Sequence, residues 1–418
     1  MKTKSNFGQQ NKGAGQAYRY QLSRVAGGIL AVKGKDWKEQ HRTCWCSRSI
    51  RNGDQGTGKG GFVEVYRNEA RDGASLAGVT RCGNLHTCPV CAAKANELRR
   101  RQLSAAMVTH QANKGMAYLV TGTFPHEAGE PLAKQLPKFI KARSAFLASR
   151  KWRDFRKQKR MVGFVMSLEF TVSLENGWHP HFHMLVFCDK NAFGEGAPDQ
   201  QGELDSTLIA ELKKLWCEHL FKVGLGNSSK LKDMLKHALS IRGGEKAAEY
   251  IAKFGRDEKW GASSELARAH AKIGAAGERW GVMHFAPFQL LAWAEHGDTW
   301  AVHRFREYAE AVEGKKALYW SKGLKAALKV LDVDEDEWAT NDDTPQPDQI
   351  QVGSLDAEQY SVIWSRKCLP EFLEYVASCC ENQEHLDEWI DHRRTLNKVA
   401  SGALLIKLKV GRKMVNYA

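Results

Sequence analysis

In FVMSLEFTVSLENGWHPHFHMLVF, residues 164–187, apolar and polar positions alternate with the period of a β-strand, interrupted once by a polar stretch. Side chains two apart share a face, so His179, His181 and His183 point one way while Phe182 and Met184 point the other. Ser173-Leu174-Glu175-Asn176-Gly177 reads as the turn of a β-hairpin. Folding about residue 175 sets Glu169 opposite His181, on the face that carries His183. A slip of one residue would turn Glu169 away, so this pairing is the most exacting expectation of the region.

Other patterns place elements around this hairpin. YLVTGTFPH (118–126) reads as a buried strand ending in a turn, and FVEVY (62–66) as a short strand. AAKANELRRRQLSAAMVTH reads as a basic helix, with further helices over 131–150 and 206–222. EKAAEYIAKFGRD reads as a helix whose Tyr250 and Lys253, three apart, share a face. The pattern divides the chain into a basic flexible arm (1–35), a cysteine-rich module (36–110), a motif-bearing domain (111–290) and a basic helical extension (291–330). An acidic linker (331–354) and a C-terminal helical region (355–418) follow. With helices expected around an antiparallel hairpin, the class is α+β.

Composition narrows the partners. The 418 residues carry 62 Lys and Arg against 48 Asp and Glu, a formal charge of +14, which suits an acidic polymer. No long uncharged apolar run suggests a membrane span, and the polar, basic N-terminus lacks the apolar core of a secretory signal, so a cytoplasmic location is expected. Five of the ten cysteines fall between Cys44 and Cys91, a clustering that favours metal ligation over disulfides.

Within that cluster, Cys88-x-x-Cys91 has the spacing of a thiolate knuckle, and Cys82 supplies a third ligand. Cys44, Cys46 and His86 all remain open as the fourth. A closed four-ligand site of this kind is structural, and zinc is the expected ion. His181, His183 and Glu169 offer a different donor set, suited to Mg²⁺ or Mn²⁺ with positions left open for phosphate oxygens. His179 is a further candidate ligand or a neighbour of the site. Basic segments with interleaved rings, Arg99-Arg100-Arg101 and Lys151-Trp152-Arg153, are candidate DNA contacts, as is the stretch from Lys315 to Lys329.

The order of LVTGTF, HPHFHML and YIAKF resembles the three-motif layout of the HUH endonucleases. It is most similar to that of rolling-circle replication initiators, the Rep proteins of small plasmids. The resemblance spans roughly residues 40–290, and TCPVCAAK is similar to the cysteine segment upstream of the first motif in many such initiators. It implies an HUH-type domain with a central antiparallel sheet flanked by helices. It also implies Tyr250 as nucleophile, aided by Lys253, giving a 5′-phosphotyrosyl intermediate and a free 3′-OH primer. Implied partners are plasmid or phage origin DNA, single-stranded at the nick, with a host helicase and polymerase. The chain departs from two-tyrosine relatives at Phe254, which leaves the terminating nucleophile unassigned and counts against the HUH transposase alternative. A zinc-bearing DNA-binding regulator without catalysis is the alternative of a different class.

Overall fold

The computed structural model describes residues 12–51, 61–68, 73–194, 199, 202–244, 278–279, 282–333, 335–340 and 349–395. The described strands, in chain order, are β1 (Val63–Asn68), β2 (Gly73–Ala77), β3 (Gly115–Gly122), β4 (Gly163–Ser173) and β5 (Gly177–Asp189). They continue with β6 (Leu239–Arg242), β7 (Glu278–Arg279), β8 (Val282–Met283), β9 (Leu318–Trp320) and β10 (Gln349–Leu355). The chain forms two compact units.

The larger unit is built on a five-stranded antiparallel sheet ordered β6-β3-β5-β4-β9. Its centre is the expected hairpin. Ser173 pairs with Gly177, and Gly177 takes the left-handed φ of +68° that closes the turn. The register then runs without a bulge through Thr171–His179, Glu169–His181 and Ser167–His183. Pairing of β3 with β5 stops at Gly122–Phe182, so Pro180, which has no N–H to donate, lies beyond the doubly paired part of β5.

The two faces of this sheet are covered differently. On the histidine face, Leu185 and Phe187 continue the row and join Leu119, Val165 and Ala117 in a buried cluster. Helix Pro89–Ala112 closes over that cluster with Leu103, Ala106 and Met107. Pro89 starts this helix at a position where no N–H is needed, and Lys114 at φ +63° ends it. The opposite face carries Phe182, over which helices Leu132–Ala148 and Thr207–Lys222 pack through Phe139 and Trp216. Phe182 lies so close to Gly122 that any Cβ there would collide with its ring. That is a physical reason for glycine within LVTGTF.

The smaller unit holds a sheet ordered β10-β1-β2 and three helices, Ala357–Ser365, Leu369–Cys379 and Gln383–Thr395. Asp356 and Gln359 cap the first helix reciprocally. Tyr360 donates to the Ser47 carbonyl at 2.6 Å, and burial raises its phenol above the ordinary range.

Several expected boundaries are corrected by this architecture. Residues 12–30 of the supposed flexible arm form a helix, with Tyr20, Leu22, Ala26 and Ile29 buried. Arg306 ties its end by donating to the Ile29 carbonyl at 2.9 Å. The segment 36–110 is not one module, because β1 and β2 belong to the sheet with β10 while helix Pro89–Ala112 covers the larger sheet. The acidic linker contains all of β10 but its last residue, and β10 pairs with β1 from Val63–Leu355 to Asn68–Gln349. The basic extension supplies β9, an edge strand of the larger sheet. No described helix is long and apolar enough to cross a membrane.

Candidate metal centres

The strand register turns the alternation of β4 and β5 into a site. Glu169 Oε2 lies 3.6 Å from His181 Nε2 and 3.4 Å from His183 Nε2. Donor atoms of these three residues all lie within 4.8 Å of one another. The histidine rings are largely covered, whereas the Glu169 side chain is 40% exposed, so the group opens to solvent on the carboxylate side.

Neighbouring groups aim these donors. His181 Nδ1 donates to the His179 carbonyl at 3.2 Å, which fixes the ring with Nε2 toward Glu169. Thr121 Oγ1 holds His183 Nδ1 at 2.8 Å, and Ser167 Oγ donates to Glu169 Oε1 at 3.2 Å. Burial pushes the Glu169 carboxyl up, but hydrogen bonds and charge from His181 and His183 outweigh it. The carboxylate is held well below its ordinary range.

His179 takes a different place. Its Nε2 meets Thr123 Oγ1, and its ring stacks on His126 at 4.5 Å and 10°. It therefore flanks the group rather than joining the three converging donors. Burial lowers the pKa of His126; its hydrogen bond to the Phe124 carbonyl raises it, and His284 and His181 lower it further. His284 precedes Phe285, whose backbone pairs with Val172 of β4. Thr121, Thr123, His126 and His284 were not singled out from sequence. The nearest signal was LVTGTFPH itself, read as a strand and turn without roles for its side chains. Tyr250 and Lys253, like Phe254, lie outside the described residues.

The cysteines form the second group. Sγ atoms of Cys82, Cys88 and Cys91 all lie within 4.8 Å of one another, and all three side chains are buried. Cys82 and Cys91 are 3.7 Å apart, close to the roughly 3.8 Å expected between thiolates around a tetrahedral ion with ~2.3 Å bonds. The Asn84 N–H points at Cys82 Sγ from 3.4 Å and Ser23 Oγ lies 3.4 Å from Cys88 Sγ, contacts that suit thiolates. Of the open candidates for a fourth ligand, two are engaged elsewhere. Cys44 instead donates to the Gly27 carbonyl at 3.3 Å. His86 spends Nε2 on the Lys315 carbonyl at 3.0 Å and Nδ1 on Tyr308 at 3.1 Å, and burial lowers its pKa to about 4.

Expected DNA contacts fare unevenly. Arg99 is buried, hydrogen-bonded to Asn96, and Trp152 is buried against Phe146 and Phe155. Neither side chain presents itself to a strand of DNA. Arg100 and Arg101 both pair with Glu97, at 2.8 and 2.9 Å, and Lys151 pairs with Glu211 at 3.1 Å. Arg153 is exposed.

Comparison with known proteins agrees with the motifs. Residues 74–199 match the family model described as "Replication protein", a stretch that includes Cys82–Cys91 and the whole β4–β5 hairpin. A Streptomyces lividans protein named "Protein rep" is 28% identical over 304 residues, covering 60% of this chain and 64% of its own length. A Streptomyces cyanogenus protein named "Neomycin resistance protein" is 23% identical over 155 residues, 31% of this chain and 36% of its own length. The chain thus spans less than two thirds of each. No solved structure gave a significant match. The chain resembles plasmid Rep replication initiators, as its motifs indicate.

Proposed function

We propose that this protein initiates plasmid rolling-circle replication by nicking one strand at the origin and later rejoining it. The observation that carries the reading is the open Glu169–His181–His183 group on a central antiparallel hairpin, within the stretch that matches replication proteins. Mg²⁺ or Mn²⁺ held there would neutralise charge on the scissile phosphate. Glu169, His181 and His183 would hold the ion, while Thr121 and Ser167 keep the imidazole and carboxylate aimed at it.

In this reading Tyr250 is the nucleophile. Its oxygen attacks phosphorus, a tyrosine–phosphorus bond forms and the bond to the 3′ oxygen breaks. The phenolic proton passes, directly or through solvent, to that oxygen, leaving a 3′-OH that a polymerase extends. With an ordinary phenol pKa near 10, attack needs a neighbouring cation, and Lys253, one helical turn on, is assigned that role. Reversal of the same step rejoins a strand. The buried Cys82, Cys88 and Cys91, with Cys46 proposed as the fourth ligand, are assigned to a structural Zn²⁺, because a closed thiolate set leaves no position for substrate.

Purified protein incubated with Mn²⁺ and single-stranded DNA from its own replicon tests this reading. A denaturant-resistant protein–DNA adduct, lost in Tyr250→Phe, is the expected result. An adduct that survives the substitution would move the nucleophile elsewhere. No adduct from either protein, with duplex origin binding intact, would instead favour a DNA-binding regulator.

A further inference from the structure

Across the sheet from the histidines, a groove of about 700 Å³ runs between β4, β9 and the helices Leu132–Ala148 and Arg150–Gln158. Its floor is Phe164, Met166 and Leu168, the alternate residues of β4 that face away from Glu169. Around it stand Arg143, Arg156, Lys315, Lys316 and Lys322, and no carboxylate lines it among the described residues. Tyr319 of β9, paired with Met166, is 45% exposed, and its ring lies 5.9 Å from that of Phe164.

Two features separate this groove from an ordinary solvated face. Arg143 is partly buried, its Nε has no hydrogen-bond partner, and burial lowers its pKa. A guanidinium withdrawn from water without an anion is unfavourable, so an anionic ligand would relieve it. The second is shape: cations surround a concave apolar floor edged by the Tyr319 ring. A duplex is a convex rod that offers phosphates, whereas a single strand offers phosphates and unstacked bases that can lie on rings.

We propose that this groove is a second DNA-contact surface, one that holds a single strand by its phosphates while a base stacks on Tyr319. The inference rests on the DNA-processing reading above and adds to it a path for the strand. Leu168 in the groove and Glu169 in the metal group are neighbours on β4, on opposite faces, and β9 is the strand outside β4 in the sheet order. A strand leaving the metal group over that edge enters the groove.

Fluorescence anisotropy with labelled oligothymidylate, with no Mg²⁺ or Mn²⁺ added so that no cleavage intervenes, tests it on the full-length protein. Lys316→Glu/Lys322→Glu should weaken binding about tenfold or more. It should also reduce the slope of log affinity against log salt by roughly 1.4, about 0.7 for each lost phosphate contact. Tyr319→Ala should weaken single-strand binding about fivefold or more and leave binding of a matched duplex unchanged. Should the charge reversals lower the melting temperature, Lys316→Gln/Lys322→Gln replaces them. Wild-type binding by all variants overturns the proposal. So does equal weakening for single strand and duplex with Tyr319→Ala silent, which would mark a general phosphate surface. An adduct assay run alongside separates the two readings. Lost binding without any wild-type adduct removes the nuclease and keeps the groove; an adduct with unaltered binding does the reverse.

Discussion

The cysteine group and the histidine–carboxylate group both gather side chains around a point, yet they are opposite in construction. The first is closed: the sulfurs of Cys82, Cys88 and Cys91 are all buried. The second is open: three donors on two adjacent strands, with Glu169 40% exposed. Closure suits an ion that holds the chain together, since thiolates on all sides leave nothing for a reactant. Openness suits an ion that must also meet a phosphate. Two clusters that could each hold a metal therefore predict opposite consequences of mutation, one for stability and one for chemistry.

The largest effect that could break this contrast is on folding. Cys88→Ser should remove one equivalent of bound metal and destabilise the protein by several kcal/mol, because the binding free energy of a structural ion is folding free energy. Metal content by atomic emission and thermal melting would show it. Unchanged melting would end the structural assignment. Next, Glu169→Gln should leave melting and thiolate-bound metal intact. It should cut adduct formation about 100-fold or more, beyond the ~10–100-fold typical of outer-shell changes.

A smaller effect sharpens the open site. Thr121→Val removes the hydrogen bond to His183 Nδ1 and should weaken Mn²⁺ affinity about tenfold to 100-fold, measured by titration of activity. If added Mn²⁺ does not restore activity, Thr121 is not acting through His183. The smallest effect at neutral pH is expected from His86→Gln, which should retain the thiolate-bound metal because His86 is bonded elsewhere. Its folded pKa, about 4, is below its ordinary value of 6.5. Its stabilisation is therefore present above pH 6.5 and declines as pH falls toward 4. The variant should show a flatter melting profile across that window. An equally steep profile would place the titration elsewhere.

The hairpin was the most legible part of the molecule. Period-two alternation and a five-residue turn specify which residues face each other, and Glu169 does pair with His181. Long amphipathic helices were also legible, as in the expected 206–222 and the observed Thr207–Lys222. Less local features were not. A polar, basic N-terminus reads as an arm, yet helix Lys12–Leu30 buries several of its side chains. An acidic stretch reads as linker, yet β10 pairs with β1. Trp152 and Arg99 sit in runs of positive charge that suggest a DNA face, and burial decides otherwise.

What sequence alone determined was local and periodic: the strand register, the shared face of three histidines, the thiolate knuckle and the net positive charge. Those follow from backbone geometry and covalent spacing, which act over a few residues. Tertiary structure decided everything that depends on segments distant in the chain. It gave Cys44 and His86 other partners, brought Thr121 against His183, set His179 on His126, and made β9 an edge of the central sheet. Pairings of that kind are selected by burial and by the need to satisfy polar groups in three dimensions. No short window of sequence contains both partners.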